Sequence, residues 1–335
     1  MQDLKPKTLS ELQDICEDLG FSRFKAKEIF KFIHSKFQTD FNELTTIKIE
    51  ERELLKKLFT ISNISLSKTE KSKSVEKALF ELGDGKRIET VFMDYGGDER
   101  KTLCVSTQVG CPIKCEFCAT GTMGFQRNLT TAEILSQVYY FAKENKISNI
   151  VFMGMGEPFL NYDNVIKAAY ILNDECGLNI GARRTSISTI GIIAGINKLA
   201  QEGKQFRLAW SLVAPNDKLR RKLIPFKALS SISEIVAAIK EYQKKTKRRV
   251  MIEYVVLKDI NDGEKEAKEL AKIAQSFDSH VNLIAYNPSR TSNLKPGNIK
   301  HLETVLKKAK VVATIRRSFG QEISAACGQL STKSQ

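Results

Sequence analysis

The stretch Thr102-Leu103-Cys104-Val105-Ser106-Thr107-Gln108-Val109-Gly110-Cys111-Pro112-Ile113-Lys114-Cys115-Glu116-Phe117-Cys118 runs from an apolar strand pattern into three cysteines at C-x₃-C-x₂-C spacing. Three thiolates so close can hold three corners of a cubane iron–sulfur cluster, which ordinarily takes four cysteines. No fourth follows at ferredoxin spacing. One iron would then be left to chelate a small molecule, which suggests chemistry rather than electron storage. The competing reading is a zinc site completed by Cys104 or by a distant cysteine.

Outward from Leu103–Thr107, strand and helix patterns alternate. Further strands read at Asn149–Met153, Thr185–Thr189, Arg207–Leu212, Val250–Leu257, Val281–Tyr286 and Val311–Arg316. Helices read at Thr131–Asn145, Asn164–Asp174, Ile193–Gln201, Ile232–Lys244, Lys265–Gln275 and Ile299–Lys308. Thr130 with Glu133 and Ser231 with Glu234 form S/T-x-x-E capping boxes. Repeated strand–helix units imply a parallel sheet. Six are too few for a closed eight-unit barrel, so the expected fold is α/β, an open, partial (β/α)₆ barrel. Chemistry in such barrels sits at the carboxyl ends of the strands, which is where Cys111–Cys118 falls.

Upstream, Lys77–Leu82, Gly83-Asp84-Gly85 and Arg87–Met93 read as a β-hairpin, followed by a loop at Tyr95-Gly96-Gly97-Asp98. The polar run 61–76 reads as a linker or poorly ordered edge. Residues 1–60 read as amphipathic helices at Thr8–Gly20, Phe24–Phe37 and Glu50–Phe59. In the second, Lys25, Lys27, Lys31 and Lys36 interleave with Phe24, Phe30, Ile33 and Phe37, just after Arg23. That pattern suits either a basic RNA-binding module or an ordinary helix pair with solvated lysines. The expected division is a helical accessory domain at 1–60, a linker and hairpin extension at 61–101, the barrel at 102–317 and a C-terminal segment at 318–335.

The net charge of +14 favours polyanionic partners. No apolar run reaches membrane-spanning length, and the first residues lack a signal-peptide core, so a cytoplasmic protein is expected. Four of the seven cysteines crowd into 104–118, which does not look like a secreted disulfide framework.

The cysteine triplet, with Phe117 before its last member, resembles the radical S-adenosylmethionine (SAM) superfamily. Gly154-Met155-Gly156-Glu157-Pro158 matches that superfamily's segment for the SAM amino group. More specific stretches, Thr102–Cys111, Phe117–Gly121, Met153–Pro158, Ser186–Thr189 and Ala325-Ala326-Cys327-Gly328-Gln329-Leu330, resemble the RlmN/Cfr radical SAM methyltransferases, which methylate a ring carbon of adenine in RNA. The likeness runs from about Leu79 to Leu330, more weakly over the N-terminal helices. It is nearest the dual-specificity rRNA/tRNA adenine-C2 branch.

The resemblance implies one 4Fe–4S cluster on Cys111, Cys115 and Cys118, and two SAM per turnover. SAM contacts would fall at Gly156, Glu157, Ser188, Ser211, Leu212, Val213 and Asn287. Cys327 would be the S-methylated carrier, Cys104 its resolving partner in a transient disulfide, and Glu89 a proton acceptor. The implied partners are 23S rRNA at the peptidyl transferase centre, tRNA for some members, and an external flavodoxin-type one-electron reductant. Nothing in the sequence requires more than a monomer. The family usually shows histidine where Val213 stands, and valine has no side-chain donor. Alternative readings are the carbon-8, antibiotic-resistance branch, a radical SAM enzyme on a non-RNA substrate, and a zinc-stabilised RNA-binding protein without catalysis.

Overall fold

A computed structural model describes residues 1–96, 100–288 and 292–332. Its central sheet contains β1 (Ser65–Lys71), β2 (Val75–Glu81), β3 (Arg87–Asp94), β4 (Lys101–Cys104), β5 (Asn149–Phe152), β6 (Thr185–Thr189), β7 (Arg207–Ser211), β8 (Val250–Val256), β9 (Ser279–Ala285) and β10 (Ala313–Arg316). They lie side by side in strict chain order. The pairs from β1 to β4 are antiparallel. Every later pair is parallel.

Parallel neighbours need crossovers, and helices supply them. These are α4 (Thr131–Ala142), α5 (Tyr162–Asn173), α6 (Ile193–Leu199), α7 (Asp217–Leu223), α8 (Ile232–Thr246), α9 (Glu264–Gln275) and α10 (Ile299–Lys308), after N-terminal α1 (Leu9–Asp18), α2 (Arg23–His34) and α3 (Ile49–Leu58). Six crossovers join seven parallel strands, and the sheet ends on free edges at β1 and β10. The open (β/α)₆ architecture is therefore as expected.

Capping explains why α4 and α8 start where they do. Thr130 and Ser231 each accept from the N3 amide, and Glu133 and Glu234 reach back to the cap amide. Thr8 and Glu11 do the same for α1. The short α7, unforeseen in the sequence, is capped by Asn216, whose side chain accepts from Leu219 N.

The linker reading of 61–76 is corrected: Ser65–Lys71 is an edge strand, hydrogen-bonded to β2. Its residues are mostly exposed, and lysine-rich polarity of this kind protects sheet edges from further pairing. The hairpin β2–β3 forms as expected and extends the barrel sheet. The predicted loop at Tyr95–Asp98 lies partly outside the described residues.

One hydrophobic core runs from Leu4 and Phe30 through the sheet to Leu306, so α1–α3 pack directly on the barrel. Lys5 Nζ is buried there, donating to Ser136 Oγ at 2.8 Å, and burial lowers its pKa to about 8. His34 Nδ1 meets the Tyr139 hydroxyl. Most buried polar groups are hydrogen-bonded, and here each residue has at least one such bond, although His34 Nε2 has none among the described residues. Phe30 and Ile33 belong to the core, whereas Phe24 is exposed, as are Arg23 and Lys27.

Candidate active site

The carboxyl ends of the parallel strands surround a cleft of about 1020 Å³, open to solvent. Cys111, Cys115 and Cys118 line it together with Gly156, Glu157, Ser188, Ser211 and Val213. A buried network positions the loops that carry them. Gln137 on α4 accepts from Ser106 N and Thr90 Oγ1 and donates to Ser106 O. Ser106 Oγ in turn accepts from Met155 N at 2.9 Å. The chain beyond β4 is thereby tied to the chain beyond β5.

The three cysteines sit on a tight loop in which Lys114 is left-handed (φ 59°) and Cys118 N donates to Cys115 O. Glu116 N donates to Leu223 O at the end of α7. Burial pushes the Cys111 thiol up to about 12, and those of Cys115 and Cys118 also rise, mainly through burial. Among the described residues no three His, Cys, Asp or Glu side chains converge closely enough to hold a single metal ion. A cubane presents its irons at separate corners, so it needs sulfurs spaced around a cavity wall. An all-thiolate donor set, spaced in this way and walled by apolar Ile113 and Phe117, fits such a cluster.

Gly156 has φ 102°, and a Cβ there would lie 2.6 Å from Gln108 Cβ. Only glycine lets this turn pass so close. Glu157 is buried; its two oxygens accept from Phe159 N (3.1 Å) and Ile190 N (2.9 Å). Burial nonetheless raises its pKa to about 7. Desolvation outweighs the hydrogen bonds. Ser188 Oγ and Ser211 Oγ are 3.1 Å apart across β6 and β7.

Leu212 lies beneath the cleft, outside its lining. Its carbonyl accepts from Arg220 Nε at 3.2 Å. Val213 does line the cleft and is left-handed (φ 66°). That conformation is an outlier for a β-branched residue, whereas histidine tolerates it better.

Asn287 also lies outside the cleft lining. Its side chain is committed to the C-terminal segment. Nδ2 donates to Cys327 O (3.2 Å), and Oδ1 accepts from Ser318 Oγ (2.7 Å) and Gln321 Nε2 (2.6 Å). Further anchors are Ala119 N to Gly328 O (2.7 Å), Thr120 Oγ1 to Leu330 O (2.8 Å) and Gln329 Nε2 to Pro288 O (2.9 Å).

These bonds place Cys327 in the wall of two adjoining cavities. One is the cleft of the three cysteines; the other, of about 640 Å³, is lined by Cys104. Cys104 is buried at the end of β4 and Cys327 is exposed; both are free thiols.

Glu89 lines neither cavity. It is buried on β3, 3.2 Å from Lys77 Nζ, and accepts from Ser331 N at 2.7 Å. Burial raises its pKa against the pull of Lys77.

The sequence reading missed Arg316, which ends β10 and lines both cavities. It also missed Glu253, 3.8 Å from Arg316. Strand alternation says that one of Arg316 and Arg317 faces inward, but not which.

An open barrel with a cysteine triplet at its mouth defines the radical SAM class. The superfamily model matches residues 105–271, and the superfamily's cofactors are a 4Fe–4S cluster and SAM. A second model, the N-terminal domain of ribosomal RNA large subunit methyltransferases, matches residues 2–61.

A probable dual-specificity RNA methyltransferase RlmN from Thermotoga maritima is 44% identical over 339 positions, covering 99% of this chain and 98% of that one. The ribosomal RNA large subunit methyltransferase N of Nitrosopumilus maritimus is 41% identical, covering 99% of each chain. The crystal structure of a radical SAM methyltransferase from Sphaerobacter thermophilus superposes with a TM-score of 0.92 at 39% identity, covering 98% of this chain and 99% of that one. The chain belongs to the RlmN family of radical SAM methyltransferases.

Proposed function

We propose that the protein methylates carbon 2 of adenine in RNA, acting on 23S rRNA and on tRNA, with Cys327 as the methyl carrier. The observation that carries this reading is the seat of Cys327 in the wall shared by the two cavities. A carrier must meet a methyl donor on one side and deliver to an acceptor on the other.

In this reading Cys111, Cys115 and Cys118 hold the cluster. Glu157, Gly156, Ser188, Ser211 and Val213 receive SAM, with Glu157 facing its ammonium group and Leu212 shaping the segment through its backbone. When bound, cluster and SAM would supply the hydrogen-atom abstraction that activates the methyl group on Cys327. The other steps belong to the chain. Cys327 Sγ, as a thiolate, displaces S-adenosylhomocysteine from one SAM and takes its methyl group. The carbon so activated on Cys327 Sγ would bond to the adenine; the ring would lose one proton, and its surplus electron would return to the cluster, which spent one electron on cleaving SAM. Cys104 Sγ then attacks Cys327 Sγ, the carbon–sulfur bond breaks, and the carbon left on the base takes a proton to become methyl. Two external electrons reopen the disulfide before the next cycle. Asn287 positions Cys327 through its carbonyl. Glu89 accepts the ring proton once Ser331 releases its carboxylate.

The base must leave its stack to enter the mouth, which unpaired RNA loops allow. The exposed Phe24, with Arg23 and Lys27 beside it, fits contact between the N-terminal helices and the RNA. In the test, anaerobically reconstituted protein, reductant, SAM and RNA are combined and the nucleosides resolved by mass spectrometry against 2-methyl and 8-methyl standards. 2-Methyladenosine is expected, with Cys327→Ala retaining its iron but making none. An 8-methyl product, or methylation by Cys327→Ala, would overturn the assignment.

A further inference from the structure

Arg316 occupies the wall between the two cavities, on a side shared with Cys327. Its side chain keeps 19% exposure. A buried guanidinium is normally held by a hydrogen-bonded carboxylate. Here the nearest carboxylate, Glu253, is 3.8 Å from Nη1, beyond hydrogen-bond distance. The same nitrogen makes a long contact of 3.5 Å to Met153 Sδ. Nε and Nη2 make no hydrogen bond among the described residues and are not fully buried. Glu253 is itself fixed, since its Oε1 accepts from Asn282 Nδ2 at 3.0 Å. The cation is thus held loosely from behind, with donors left to spend on a ligand.

The cavity it enters has the character of a nucleobase site. It is a concave site that opens to solvent beside the cleft and shares Arg316 and Cys327 with it. Met93, Met153, Ile284 and Phe319 make most of its wall apolar, and both reactive cysteines open onto it. Pockets for flipped bases combine apolar or aromatic packing with hydrogen bonds to the base edge.

Resting on the function proposed above, we propose that this second cavity receives the adenine and that Arg316 orients it by donating to a ring nitrogen next to the reacting carbon. Guanidinium has only donors, and carbon 2 of adenine is flanked by two acceptor nitrogens. Carbon 8 has one free acceptor neighbour, because the other is bonded to the sugar. One donated hydrogen bond turns carbon 2 toward Cys327 and draws electron density from the ring. Arg316 is therefore a substrate-orienting residue, with Glu253 as its positioning partner.

The test compares Arg316→Met and Arg316→Lys with the parent holoenzyme in two assays. One measures methyl-Cys327 by mass spectrometry of the peptide; the other measures methyl transfer to RNA. In Arg316→Met, methyl-Cys327 is expected to form normally while kcat/KM for RNA falls at least tenfold; Arg316→Lys should recover part of it. RNA methylation within threefold of the parent would overturn the inference. So would a parallel loss of methyl-Cys327, which would put Arg316 to work on the thiol instead. A second measurement needs no variant. RNA carrying 1-deaza- or 3-deazaadenine should bind the oxidised holoenzyme more weakly at one of the two positions, whereas 7-deazaadenine should bind as adenine does. Equal affinity for all three would also refute it. If the parent enzyme makes neither methyl-Cys327 nor methylated RNA, the functional reading falls and takes this inference with it. If the parent makes both, a null result in the variants sinks the inference alone.

Discussion

Replacing Asn287 by alanine should loosen the carrier segment without disturbing the barrel. The substitution removes the bond to Cys327 O and the two bonds that Oδ1 accepts from Ser318 and Gln321. Each is worth about 0.5–1.5 kcal/mol net, so segment docking should weaken by about 2–3 kcal/mol. Local opening would then be about 30- to 150-fold more frequent. Amide hydrogen exchange reads this directly, because Ala325 N and Gln329 N are bonded to Gly320 O and Ala326 O within the segment, and Ser331 N to Glu89. Those amides should exchange faster by that factor while amides of β5–β8 keep their protection, and RNA methylation should drop with iron content unchanged. Unchanged exchange over 318–332 would refute the claim that Asn287 holds the carrier. An equal rise across the sheet would show a general loss of stability instead.

Arg220→Met should destabilise the fold by about 3–5 kcal/mol, because Arg220 binds the carbonyls of Leu212, Ser230 and Ile190 in a buried clamp; an unchanged denaturation midpoint would dismiss the clamp. With its pKa raised to about 7, Glu157 holds an extra proton in the folded state, so ligand-free stability should fall as pH rises from about 4.5 to 7. A SAM ammonium favours the carboxylate, so SAM affinity should climb to about pH 7 and then level off; in titration calorimetry Glu157→Gln should lose that slope, and an identical slope would exclude Glu157. Val213→His should raise SAM affinity without loss of stability, since histidine accepts the left-handed backbone better and adds a donor; weaker binding of SAM would show that the pocket is shaped around valine.

Local signals were legible in the chain and distant ones were not. The cysteine loop could be read because its three cysteines lie within eight residues and follow a strand. The capping boxes of α4 and α8 could be read because the bonded partners are three residues apart. The edge strand β1 was left open between a linker and a sheet edge, because a polar run is what the two have in common. Asn287 illustrates the other limit. Family likeness points it toward SAM, while the fold spends its side chain on the C-terminal segment, Nδ2 on the carbonyl of Cys327 forty residues away and Oδ1 on Ser318 and Gln321. Arg316 gave only the ambiguous signal of strand alternation and Glu253 none, since their proximity exists only where β8 and β10 bring them together.

In the proposed mechanism, the open sheet gives a physical reason for seating the carrier on the segment 318–332. On one side that segment is bonded to Asn287 and Pro288 beyond β9. On the other it reaches Ala119 and Thr120 after the cysteine loop and Glu89 on β3, while Phe319 meets Tyr95 edge-on at 4.7 Å. The segment thus ties the β9–β10 side of the sheet to the β3–β4 side across the strand ends. A cysteine built into a strand would be fixed to one partner by a continuous ladder. A cysteine on a strap held by a few separable side-chain bonds can turn toward a methyl donor, a base and Cys104 in succession. If Cys327 carries the methyl group as proposed, the few-kcal/mol hold expected of Asn287 would aim it while still letting it move.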